Sequence, residues 1–153
     1  RNLQKKLIQL TRSLHLESNV KFVKEIPHQR LISSGILSAC DLFISPSLTE
    51  TFGYSGLEAM AHKLPSVLVE SQGLCEIVGK GGLVSKAQNL ESFKNNILTI
   101  FRNPLLKEKM GKEARRIAKQ FESGSGVDKI ITIYREILKT HVGRSRRLFL
   151  FTG

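Results

Sequence analysis

Apolar positions along the chain alternate between two periods. Leu3, Leu7, Leu10 and Leu14 recur every three or four residues, which predicts an amphipathic helix over residues 2–15. Val20 to Lys24 (VKFVK), Leu42 to Ile44 and Ser66 to Glu70 (SVLVE) are short β-prone runs; Pro27 ends the first and Pro46 stops the second. Leu83 and Val84 predict a fourth, small strand after a flexible turn at Gly79, Gly81 and Gly82. Leu31, Ile32 and Leu37 predict a short helix, and Gly56 to Lys63 (GLEAMAHK) another that starts near Ser55. Leu90 to Arg102 reads as a helix with Phe93, Ile97, Ile100 and Phe101 inward. Asn103 and Pro104 form an N-cap and N1 pair for the next helix. Val127 to Leu138 reads as a last helix with a stripe of Ile130, Ile131, Tyr134 and Leu138, and the tail from Thr140 shows no period.

Short apolar strands alternating with helices specify an α/β fold, a parallel sheet with helices on its faces. Ligands in such sheets bind beyond the carboxyl ends of the strands. That points to three loops, Glu25 to Gln29, Pro46 to Tyr54 and Ser71 to Gly73. The 153 residues suffice for one domain and not for two full ones. We expect an incomplete domain over residues 1–140 and a poorly ordered basic tail over 141–153. The first residue is Arg, which suggests a piece of something longer. No apolar run approaches the roughly 18 residues of a membrane span. The amphipathic start is not a signal peptide. Cys40 and Cys75 lie far apart, with no zinc or redox spacing, and fit a reducing, cytoplasmic compartment. The four histidines make no metal pair, so no metal site is expected.

Charge sharpens the picture. The net charge is +11, but its distribution is uneven. Six basic and two acidic residues lie in 1–25, two and five in 26–79, and sixteen and six in 80–153. The middle is therefore acidic while the helical end and tail are basic. With aromatics at only 7% for stacking, nucleic acid is disfavoured and solvated helix faces are the plainer reading. An anionic membrane surface is the main rival partner.

The acidic middle carries the candidate chemistry. Residues 45–61 read SPSLTETFGYSGLEAMA. Gly53 and Gly56 would let backbone approach a ligand without a Cβ in the way. The helix that follows offers free N–H groups and a positive dipole end to an anion. Glu58, placed in its first turn, and Glu50, on the loop, would accept hydrogen bonds from sugar hydroxyls. That combination is what a sugar nucleotide demands. Ser55-x-x-Glu58 and Ser47-x-x-Glu50 also fit capping boxes, so either glutamate can be read as a helix cap.

The run ETFGYSGLEAMA resembles the E-x7-E signature of retaining GT-B glycosyltransferases of the group 1, or family four, type. The flanks resemble the family too: Asn19 to Val23 followed by Ile26 and Pro27, Cys40 to Ser47, Leu64 and Pro65, Gly73 with Glu76 to Val78, and Asn103 with Pro104. The likeness spans about residues 2–138 and implies the C-terminal, Rossmann-like half of a GT-B fold. It implies that Glu58 binds the nucleotide ribose and that Glu50, the catalytic candidate, lies near the transferred sugar. Backbone N–H groups of Phe52, Gly53, Tyr54, Ser55 and Leu57 would hold sugar hydroxyls and diphosphate, and Ile26 and Pro27 would touch the base. The implied reaction moves a sugar from a UDP- or GDP-sugar to an acceptor glycan or glycolipid hydroxyl with retention. No tightly bound cofactor is implied. The protein's part in it is electrostatic stabilisation of the leaving diphosphate.

Some family features are missing. No segment matches the strand and helix whose Arg and Lys grip the diphosphate, nor the acceptor-binding N-terminal domain. The chain alone is therefore expected to be inactive, with its N-terminal half in the same gene or a separate subunit. A bare sheet edge is expected where strands are lacking. Lys63 stands where the family commonly has Gly, and Ser66 where it often has Val. Gly73 to Gly81 misses the P-loop spacing by one residue and lacks its Ser/Thr, so Lys80 reads as a turn lysine. Cys75 has no nucleophile's partner. Arg144, Arg146 and Arg147 before Leu148 to Phe151 would suit the inner membrane face. Two other classes stay open, a non-catalytic binding or assembly module and a basic membrane-surface adaptor.

Overall fold

The computed structural model describes residues 2–49, 52–70, 73–121 and 130–137. The chain divides into two compact units, Arg1–Ile36 and Leu37–Gly153.

In the first unit the leucine period forms α1 (Asn2–Ser13). His15 ends it with φ 53°, and the amides of His15 and Leu16 return to the carbonyls of Arg12 and Thr11 at 3.0 Å each. This is a Schellman closure, which usually takes glycine. The leucines of α1 are exposed, Leu3 at 69%. The predicted strand at 20–24 is not formed; residues 20–27 have no regular structure. A strand exists only as part of a ladder, and no ladder takes up these residues. The chain then enters α2 (His28–Ser33) through Pro27, whose φ of −54° suits a helix entry.

The second unit carries the sheet. Strands β1 (Phe43–Ser45), β2 (Ser66–Val69) and β3 (Gly82–Ser85) are parallel in the order β1-β2-β3. Phe43 pairs with Ser66, and Ser66 with Gly82. Parallel neighbours need crossovers. Helix α3 (Tyr54–Ala61) makes the first, and the short α4 (Leu74–Ile77) with a 3-10 turn, Gly79–Gly81, makes the second. Helices α5 (Leu90–Phe101) and α6 (Pro104–Ala118) follow. Asn103 caps α6 as expected, its Oδ1 accepting from the Leu106 amide at 3.0 Å. Residues 130–137 are helical, with Ile130, Ile131 and Tyr134 exposed. Leu138 and the tail lie outside the described residues.

Central β2 is buried along its whole length, and the alternation of side chains splits the core in two. Leu68 packs with Met60, Leu74, Val78, Ala114 and Ile117. Val67 and Val69 pack with Phe93, Ile100 and Met110 on the other face. Helix α6 contributes to both clusters, so it locks the two layers together. Phe101, expected inward, is 65% exposed. The core-facing arc of α5 ends at Ile100, and one further residue turns the ring about 100° away.

Ser66 is fully buried, and its hydroxyl finds no partner among the described residues. The strand period places it on the Leu68 face, an apolar surrounding that offers nothing to accept or donate.

Candidate functional site

The carboxyl ends of β1 and β2 converge on the start of α3. A small crevice there, with about 10 Å3 of free interior, is lined by Phe43, Ser45, Ser47, Ser55, Leu68, Val69, Leu74 and Cys75. The chain turns into α3 at Gly53, whose φ of 81° is left-handed and costs glycine little. Gly53 has no side chain to cap the helix, and the first helical bond runs from the Leu57 amide to the Gly53 carbonyl at 3.0 Å. The amides of Tyr54, Ser55 and Gly56 thus face outward from the helix end, as an anion site requires.

Several expectations change here. Helix α3 starts at Tyr54, so Ser55 is inside it and the Ser55-x-x-Glu58 capping box is not formed. Glu58 lies in the second turn; it is half-buried and shares a face with exposed Tyr54, four residues earlier. The glycines do not leave room for a ligand either. A Cβ on Gly53 would stand 2.5 Å from the Leu74 Cβ, and one on Gly56 would collide with the same leucine. The missing side chains let α3 seat against α4. Leu74 thereby becomes a site residue that no sequence motif singles out.

The other candidates divide plainly. Phe52 stacks on Tyr54 with ring centroids 4.7 Å apart. Leu57 packs at the edge of the core. Glu50 lies outside the described residues, as do Thr51, Ser71 and Gln72. Ile26 and Pro27 belong to the Arg1–Ile36 unit, Ile26 half-buried and Pro27 exposed. Ser47 donates through its hydroxyl to the Thr49 carbonyl at 3.0 Å, and no helix follows it for the Ser47-x-x-Glu50 box to cap. The Cys75 thiol donates to the Val69 carbonyl at 3.2 Å, which ties α4 to the end of β2. Lys80 sits in the 3-10 turn beside Gly81, and Gly81 packs against Ala114 of α6.

A second hollow of about 330 Å3 opens at the amino ends of the strands, among Asp41, His62, Lys63, Lys107 and Glu108. His62 is held there by the Ser38 hydroxyl, 3.1 Å from its Nδ1, so it does not line the crevice at α3. Lys107 pairs with Asp41, and the Lys112 ammonium holds the Glu108 carboxyl below the usual carboxylate range. Lys63 sits at φ 63° and closes α3, its amide bonding the Met60 carbonyl at 3.0 Å and the Leu64 amide the Ala59 carbonyl at 3.1 Å. That closure explains why the resemblance expects glycine at this position. Among the described residues no three His, Cys, Asp or Glu side chains gather as metal ligands. No helix among them is long and apolar enough to cross a membrane.

A parallel α/β unit with a glycine-started helix at the carboxyl ends of its strands defines the class. Residues 1–117 match the glycosyl transferases group 1 family, and the chain belongs to it. It is 27% identical over 136 residues to the N-acetyl-alpha-D-glucosaminyl L-malate synthase of Bacillus anthracis, covering 87% of this chain and 35% of that protein. It is 28% identical over 132 residues to the D-inositol 3-phosphate glycosyltransferase of Rhodococcus erythropolis, covering 85% and 29%. Sucrose-phosphate synthase from Thermosynechococcus elongatus superposes with a TM-score of 0.76 at 25% identity, over 91% of this chain and 35% of that one. TarM superposes with a TM-score of 0.72 at 23% identity, over 85% and 26%, and shares the fold. The chain thus spans about a third of the length of these relatives. Its three-stranded sheet corresponds to part of the GT-B architecture.

Proposed function

We propose that this chain is the donor-binding part of a retaining glycosyltransferase, using a nucleotide-sugar and acting together with an N-terminal half that binds the acceptor. The observation that carries the reading is the start of α3. Its amides open beside the carboxyl ends of β1 and β2, with no side-chain cap among the described residues to occupy them. A diphosphate there would gain several charge-assisted hydrogen bonds and the helix dipole. Glu58, one turn further along, would accept from the ribose hydroxyls. Glu50 would approach the transferred sugar. The relatives' names attach sugars to malate and to inositol phosphate. A glycan or glycolipid hydroxyl is the acceptor class we assign here.

The chain's own work is to hold the leaving diphosphate. The amides supply fixed dipoles where negative charge grows as the glycosidic bond to phosphate breaks. The test is titration calorimetry of the chain with UDP, GDP and ADP, beside Glu58→Ala. One nucleotide should saturate the wild type, and Glu58→Ala should weaken it about tenfold, the worth of a charged hydrogen bond. A folded wild-type chain that binds none of the three would overturn the reading.

A further inference from the structure

The turn that starts α3 has a conformational problem. Gly53 gives the chain its left-handed bend but, lacking a Cβ, holds it weakly. The direction of the amides that follow must be set by neighbours. Leu74 fills one side of the turn, where any Cβ at Gly53 or Gly56 would go. Rings also pack beside the turn. Phe52, the residue before the bend, lies between Tyr54 and Phe121. Its centroid is 6.0 Å from that of Phe121, with the planes at 74°, the edge-to-face arrangement aromatic quadrupoles favour.

Phe121 is far away in sequence and well placed in the fold. It ends the 3-10 turn Lys119–Phe121 that directly follows α6. Helix α6 is anchored in the core through Ala114 and Ile117, so the turn projects the ring from a rigid base. Phe121 itself is 40% exposed, which is too open for a core residue. It also lies beyond the residues matched to the family, 1–117.

We infer that Phe121 is a positioning residue: its ring clamps Phe52 and thereby aims the amides of Tyr54, Ser55 and Gly56 at the diphosphate. The inference rests on the donor-site reading above and adds to it a residue from the far end of the described unit. The effect of Phe121 passes through Phe52 to the bend at Gly53.

The experiment compares the whole chain with Phe121→Leu, which keeps apolar volume and removes the ring, and Phe121→Tyr, which keeps the ring. Two readouts are taken, the Kd for whichever of UDP, GDP and ADP the wild type binds, and amide exchange in the ligand-free chain. Phe121→Leu should raise Kd about two- to tenfold, the range of one aromatic pair converted to binding. It should speed exchange at the Leu57 amide, whose bond to the Gly53 carbonyl closes the turn, while leaving the central strand at 67–69 as protected as in wild type. Phe121→Tyr should match wild type in both. Unchanged exchange at Leu57 in Phe121→Leu overturns the inference, and so does an unchanged Kd. Faster exchange spread evenly over β2 also overturns it, because that is general destabilisation. If the wild type binds none of the nucleotides, the donor-site reading fails, and the exchange arm alone decides whether Phe121 holds the turn.

Discussion

The two ends of α3 present opposite solutions to the same problem. At its start the chain turns left-handed on Gly53, φ 81°, beside a crevice with about 10 Å3 of free interior. At its end the chain turns left-handed on Lys63, φ 63°, beside a hollow of about 330 Å3. Volume alone would favour the second. Chemistry favours the first. The closing turn folds the last carbonyls back onto the amides of Lys63 and Leu64, and the charged groups around it are largely paired with each other. The opening turn leaves amides pointing outward at the carboxyl ends of a parallel sheet. A satisfied end is a structural closure, and an unsatisfied end is a place for a ligand.

Substitutions can break this contrast or sharpen it. The largest effect is expected at Gly53→Ala, which adds backbone strain at a positive φ and drives a methyl against Leu74. We expect a loss of about 2–4 kcal/mol in urea unfolding, and weaker nucleotide binding in what remains folded. Wild-type stability would show that the turn can relax away from Leu74. Next is Ser66→Ala, in the strand that joins the two ends. Removing a hydroxyl that is buried without a partner should stabilise the chain by about 1 kcal/mol. A loss of stability would reveal a partner for that hydroxyl, such as a buried water. The smallest is Lys63→Gly. It relieves the left-handed strain at the closing turn and should add about 0.5 kcal/mol, the strain gain less the greater freedom of the unfolded chain. Nucleotide affinity should be untouched. A change in affinity there would mean that the large hollow communicates with the crevice, against the contrast drawn here.

Much of this was legible in the residues. The helix cap at Asn103 and the strands at 43–45, 66–69 and 82–85 follow from local chemistry, because capping and short apolar runs are local signals. The run at 20–24 was not convertible into a strand, since a β-prone segment needs a neighbour that local sequence cannot supply. Phe101 looked like core because its period was continued one residue beyond the packed arc. The glycines of the site loop were legible as necessary, but their reason was not. They appeared to make room for a ligand, whereas both are filled from behind by Leu74. Phe121 carried no signal at all, because its partner Phe52 lies 69 positions away and edge-to-face contact leaves no periodic trace.

By itself the sequence determined the α/β alternation, the family to which the chain belongs, and the helix start near Ser55 as the place to look. These depend on neighbours within a few residues or on a motif read in order. Only the tertiary structure decided which end of α3 stays open, which residues hold its turn, and that the larger hollow lies at the opposite end. Those outcomes depend on what packs where. Leu74 and Phe121 act through contacts that exist only once α4 and α6 have closed over the sheet.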